Sequence, residues 1–181
     1  FLAPASVLAA AFFCSFASEK AFVIYGYAVG IYTVAAGISV FGVGSTCFPA
    51  LSESFARGEH EIFAGRLRSA LFSATLISIP VFCAVAILAP EGVSLLYERG
   101  SFTAGASEAC AAALRALSPA IPAYAISEVL YRAFLAAKKP KLTALAALFS
   151  LAALVASNVI SLVFDGGLTG VCISFTVAEC M

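Results

Sequence analysis

The sequence predicts an all-α, polytopic membrane bundle of about six membrane-spanning helices, and three observations carry that prediction. The 181 residues are 62% hydrophobic and 11% charged, with a mean hydropathy of +1.05, whereas a soluble domain is about 45–50% apolar and about 25% charged. The apolar residues fall into runs long enough to cross the ~30 Å hydrocarbon layer, which takes roughly 20 residues of helix. Lys and Arg gather in alternate connections between those runs, as the positive-inside rule requires of a multi-pass protein.

The runs cover about 1–18, 22–51, 69–97, 106–137, 142–164 and 167–181, and together they form one bundle over 1–181. The connection 52–68 carries Arg57, Arg66 and Arg68, and the connection 138–141 carries Lys138, Lys139 and Lys141. Between them, 98–105 has only Arg99, the 19–20 turn only Lys20, and the 165–167 turn no basic residue. The first run is therefore expected to pass from inside to outside. Segment 52–68 reads as an interfacial amphipathic helix, with Phe55, Ile62, Phe63 and Leu67 toward lipid and His60, Arg66 and Arg68 toward headgroups. In 98–105, Glu98, Arg99, Gly100 and Ser101 read as a hairpin turn, with Tyr97 anchored at the interface.

The chain opens on Phe1, and its last apolar run reaches Met181 without a closing charge. The expectation is an internal segment of a longer protein, with the N-terminal half outside it. Six cysteines form no C-x-x-C pair and lie mostly in apolar runs, so they read as small hydrophobes. Zero net charge and one histidine give no basic block for nucleic acid. No nucleophile with a base, no phosphate loop before a lysine and no H-E-x-x-H supports an enzyme, and no motif calls for a cofactor.

The polar and flexible residues within the runs are the candidates for function. Gly30, Gly37 and Gly44 are seven apart in the second run, and Gly26 with Gly30 has the small-x-x-x-small spacing. Such a stripe serves as a packing seam or as a bendable gate. Tyr25, Tyr27 and Thr33 are polar groups on the same run, so the candidate substrate cavity is Tyr25, Tyr27, Gly30, Thr33 and Gly37. The fourth run holds Pro119 and Pro122, which read as static kinks or a hinge. It also holds Glu128 and Arg132 at i, i+4, which read as a local ion pair or as a coupling carboxylate with its partner. Asn158 and Ser174, on the last two runs, read as a helix–helix hydrogen bond or as a sodium site.

Three stretches in order carry a resemblance: "FPALSESFARGE" (Phe48 to Glu59), "LLYERGSFT" (Leu95 to Thr103) and "VLYRAFLAAKKPK" (Val129 to Lys141). They resemble the lipid II flippases called MurJ or MviN, within the multidrug, oligosaccharidyl-lipid and polysaccharide exporters. The resemblance implies helices seven to twelve of a fourteen-helix transporter in the bacterial inner membrane. It also implies alternating-access movement of a lipid-linked peptidoglycan precursor, with membrane lipids and a coupling ion as further partners. The sequence departs from the resemblance at one position. Such flippases carry an arginine after a Tyr-Ala pair in the eighth helix, and here the residue at that position is Gly30. Two other readings stay open: a polysaccharide or drug exporter of the same fold, and a non-transporting membrane scaffold.

Overall fold

The computed structural model describes residues 3–17, 19–97, 104–138, 140–163 and 167–180, and among them all regular structure is helical. Seven helices follow one another: α1 (Ala3–Ala17), α2 (Glu19–Ala56), α3 (His60–Tyr97), α4 (Ala104–Leu117), α5 (Ala120–Ala136), α6 (Pro140–Val163) and α7 (Gly167–Glu179). Large apolar side chains cover the outside, among them Leu8, Phe41, Phe72, Ile87, Leu95, Leu145, Leu148 and Phe149. A water-facing surface would not carry so many, and this one suits lipid. Three helices are long and apolar enough to cross a membrane, and a fourth span is formed if α4 and α5 count as one. Helices α1 and α7 have 15 and 13 residues.

The apolar runs mark the helices, but two boundaries differ from expectation. Segment 52–68 is no separate interfacial helix. Helices α2 and α3, 38 residues each, run on through it and are about 57 Å long at 1.5 Å per residue, more than the ~40–45 Å of a bilayer with its headgroups. Between them lies a tight turn at Gly58, whose φ of +73° suits glycine. There Glu59 N–H donates to Ser54 O at 3.1 Å and Gly58 N–H to Phe55 O at 3.1 Å, which closes the end of α2 as a glycine-capped helix ends. The Glu53–Arg57 ion pair, 2.6 Å at i, i+4, supports the last turn.

The fourth run is also not a single rod. It breaks between α4 and α5, which are bent by 42°. Pro119 offers no N–H to Arg115 O, and that carbonyl instead accepts from Ser118 Oγ at 2.8 Å and Ser118 N–H at 3.3 Å. Pro122 likewise leaves Ser118 O without its i+4 donor, and Ile121 N–H supplies one at 3.0 Å. Both prolines therefore sit at the break and the first turn of α5. At the other end of α5, Lys138 takes a left-handed φ of 54°, where glycine would be less strained. The expected turn at Glu98, Arg99, Gly100 and Ser101 lies outside the described residues, as do Lys139 and the first two residues of the Asp165–Gly167 turn.

Arg57, Arg66, Arg68, Lys138 and Lys141 all lie at one end of the bundle, here called the basic end. Helix α2 is its axis and packs on α1, α3, α4 and α5. Its Tyr25–Ala36 portion lies in a core to which all seven helices contribute, with Leu114, Leu117, Ile121, Leu154 and Phe175 buried. Among the described residues its Val40–Leu51 portion lies in a smaller core shared with α3 and α5 and made largely of Ala70, Ala74, Ala125, Ala133 and Ala136.

Candidate functional site

The open face of α2 is built from residues that stay exposed after six other helices have packed. Gly26, Gly30, Thr33 and Gly37 follow at intervals of four, three and four, so they line one stripe of the helix. All four are exposed. A Cβ added at Gly26 or Gly37 would meet nothing within 4 Å, so in this chain these glycines leave space and do not admit a neighbour. Thr33 Oγ1 donates to Val29 O at 2.8 Å, which leaves its oxygen lone pairs to accept from a ligand. No charged side chain lies on the stripe.

Of the two tyrosines expected there, the structure brings one to the site and not the other. Tyr27 is 38% exposed at the edge of the stripe, whereas Tyr25 is 1% exposed and lies in the core. Residues two apart on a helix point well away from each other. Tyr32 is buried as well and packs edge-on against Phe175 with ring centroids 5.6 Å apart.

A residue that sequence reasoning placed elsewhere completes the region. Tyr97, expected as an interface anchor, turns onto α2: its ring lies 4.7 Å from that of Tyr27, and its hydroxyl donates a long 3.5 Å hydrogen bond to Tyr27 O. That hydroxyl is 3.4 Å from where a Gly30 Cβ would sit, ordinary van der Waals contact. The position at which the resemblance expects an arginine is thus flanked by phenols. No local signal could reveal this, because Tyr97 is distant from Gly30 in sequence.

Glu128 and Arg132 do meet. Arg132 Nη2 and Nε donate to Glu128 Oε1 at 2.8 and 3.0 Å, with both side chains half-buried. The pair sits on α5 toward the basic end, away from the glycine stripe. Cys47 and Tyr124 lie close enough to feel both charges.

The α6–α7 seam holds the remaining candidates. Asn158 is fully buried; its Nδ2 donates to Leu154 O at 2.9 Å, and among the described residues its Oδ1 accepts no hydrogen bond. Ser174 is buried across the seam, where Ser157 Oγ lies 3.5 Å from Ser174 O. Asn158 and Ser174 show no hydrogen bond to each other. The helices are in close contact at Gly170, where a Cβ would overlap Ser161 Oγ. Thr176 Oγ1 donates to Ala116 O at 2.8 Å and so satisfies a carbonyl freed where α4 ends. The buried Asn158 oxygen is one neutral oxygen of the kind a sodium site gathers several of. Among the described residues no cluster of three or more His, Cys, Asp or Glu is available to a metal.

Comparison with known proteins follows the same lines. The family model described as "Lipid II flippase MurJ" matches residues 5–181. A solved structure titled "Lipid II flippase MurJ, inward closed conformation" superposes on 92% of the chain with a TM-score of 0.84 and 22% sequence identity. The chain spans 35% of the length of that protein, and at this identity the likeness carries the fold. A search of the curated proteins gives no match.

Proposed function

This chain belongs to the MurJ lipid II flippase family, and from that premise we propose that the protein moves a lipid-linked peptidoglycan precursor, lipid II, from the inner to the outer leaflet of the bacterial inner membrane by alternating access. The observation that carries the reading is the family match over residues 5–181. The open stripe of α2 is consistent with it. A polar head passing along Gly26, Gly30, Thr33 and Gly37 meets a wall without bulk or charge, while the lipid tail stays in the bilayer. The basic end is cytoplasmic by the positive-inside rule. The α4–α5 break at Ser118–Pro119 supplies a preformed bend for the closing motion, and the Asn158 carbonyl oxygen, with Ser174 nearby, is the candidate sodium position for coupling.

The phenols around Gly30 favour one second reading, an exporter of polysaccharide or another neutral head. A pyrophosphate held in a low-dielectric cavity needs cationic donors, and this stripe offers only neutral ones. The deciding experiment is growth rescue in cells depleted of their own lipid II flippase, with the protein as the cell makes it. Rescue is expected, and Gly30→Arg is expected to keep or improve it, because the site has room for a Cβ and the long side chain can turn away from Tyr97. Membrane-inserted, folded protein that rescues growth in neither form would refute the lipid II reading. Restored surface polysaccharide in an exporter-deficient strain would then establish the second.

A further inference from the structure

The helical hairpin at the basic end contains a groove that the transport reading does not use. It is a cavity of about 440 Å³ between α2 and α3, lined by Thr46, Ala50 and Leu51 on one side and Arg66, Ser73 and Ile77 on the other, with Ser69 at its rim. Its polarity changes with depth. Arg66 lies near the turn, Ser69 and Ser73 follow on the same face of α3, and Ile77 lies eleven residues beyond Arg66, about 16 Å deeper along the helix.

Arg66 is fixed in place. Its Nη1 donates to Ala50 O and, at 3.0 Å, to Ser54 Oγ, while Nε and Nη2 make no hydrogen bond among the described residues. Ser69 and Ser73 have hydroxyls available to a ligand. Many of the described helical hydroxyls donate back to their own helix, as Thr33, Ser39, Ser54, Thr75, Ser127 and Ser150 do. Ser69 and Ser73 make no such bond. The groove therefore offers one guanidinium edge, then two available hydroxyls, then an apolar floor.

We propose that this groove is a binding site for a glycerophospholipid of the inner leaflet. The phosphodiester meets Arg66 Nε and Nη2, the glycerol-ester oxygens accept from Ser69 and Ser73, and the start of an acyl chain lies on Ile77. The order of groups along the groove is the order of groups along such a lipid. A polyprenyl pyrophosphate fits less well, because it has no ester oxygens for the deeper hydroxyls and carries more charge. Glu53 Oε2, 3.9 Å from Arg66 and held on its other oxygen by Arg57, opposes that extra charge. The inference requires only that the basic end lie at a headgroup layer, and it stands apart from the cargo assignment.

The test places a photoreactive benzoylphenylalanine at Ile77 in the protein as the cell makes it, irradiates native membranes and identifies the adduct by mass spectrometry. A glycerophospholipid adduct is expected, and Arg66→Gln should lower its yield about tenfold, the value of one charge-assisted hydrogen bond. Arg66→Lys should recover part of it. The same probe at Leu148, exposed on α6, should give a lipid yield that ignores Arg66. Ser73→Leu, which fills the groove and leaves the Arg66 contacts alone, should also suppress the Ile77 adduct, and it decides the matter if Arg66→Gln does not accumulate. The proposal is overturned by an Ile77 adduct indifferent to these changes, by one formed with a peptide of the protein itself, or by one carrying a polyprenyl pyrophosphate.

Discussion

The two halves of α2 lie in different kinds of packing. From Tyr25 to Ala36 the helix is embedded in a core that draws on all seven helices and is filled by Leu114, Leu117, Ile121, Leu154 and Phe175. From Val40 to Leu51 its described buried side chains share a cluster with α3 and α5 that is made mostly of alanines. The far half is also stitched between helices through backbone carbonyls. Arg115 Nε donates to Ala86 O at 3.3 Å, a carbonyl that Pro90 deprives of its N–H partner, and Thr176 Oγ1 donates to Ala116 O. The basic half is held by alanine contacts, by the capped α2–α3 turn and by Arg66, which donates across to Ala50 O and Ser54 Oγ of α2, and it contains the groove. The far half buries the larger side chains, whereas the basic half packs mainly through small residues that let its helices approach closely. The proposed alternating access, which opens one end of the bundle at a time, would draw on such an inequality.

The largest effect that could break this comparison is all-or-none. If the basic end is cytoplasmic, then in a cysteine-depleted background a thiol from Gly105→Cys, exposed and without neighbours near its Cβ, is labelled in intact cells by a membrane-impermeant reagent. One from Lys141→Cys, exposed at the other end, is labelled only after the membrane is opened. The reverse pattern would exchange the roles assigned to the two halves.

The next effect is energetic. Leu154→Ala removes a fully buried side chain from the far core and should cost about 2–5 kcal/mol, the usual range for a core leucine. Leu148→Ala, on the lipid-facing side of the same helix, should cost far less. Within the basic core Ala133→Gly removes a single methyl group and should cost about 1 kcal/mol, most of it helix propensity. Unfolding of the purified protein by heat or denaturant measures all three. Similar losses for Leu154→Ala and Ala133→Gly would remove the distinction between the halves.

Much of this was legible in the sequence because a membrane requires continuous apolar helices and places its charges by rule. The runs, the basic end, the Glu128–Arg132 pair and the glycine stripe could be read in that way. Helix faces were harder to read. In a helix that is apolar all round, the lipid side and the core side have the same chemistry, so nothing local separated buried Tyr25 from exposed Tyr27. The continuation of α2 and α3 through 52–68 was hidden by its charges, which suggested a surface segment. Two of those charges instead pair along the helix, Glu53 with Arg57, and the turn is confined to the residues around Gly58. Tyr97 beside Gly30 and Arg66 beside Ala50 are contacts between distant parts of the chain, and a pattern read along one helix does not contain them.

The smallest expected effect concerns the ion pair on α5, where the basic half is most polar. Glu128 and Arg132 contact each other within one helix, and the pair is half-buried, so the double substitution Glu128→Arg with Arg132→Glu keeps an i, i+4 contact in the less favourable order. That order is worth a few tenths of a kcal/mol in an isolated helix. If the pair only neutralises two charges near the headgroups, the exchanged protein should match the parent in membrane abundance and transport within about twofold, since a factor of two is roughly 0.4 kcal/mol. Glu128→Gln alone should do worse, because it leaves the guanidinium of Arg132 without its carboxylate in a partly desolvated place. Loss of transport in the exchanged protein at full abundance would instead show that the carboxylate must occupy position 128. Glu128 would then be a coupling group beside Tyr124 and Cys47, and the basic half would contribute chemistry to transport as well as movement.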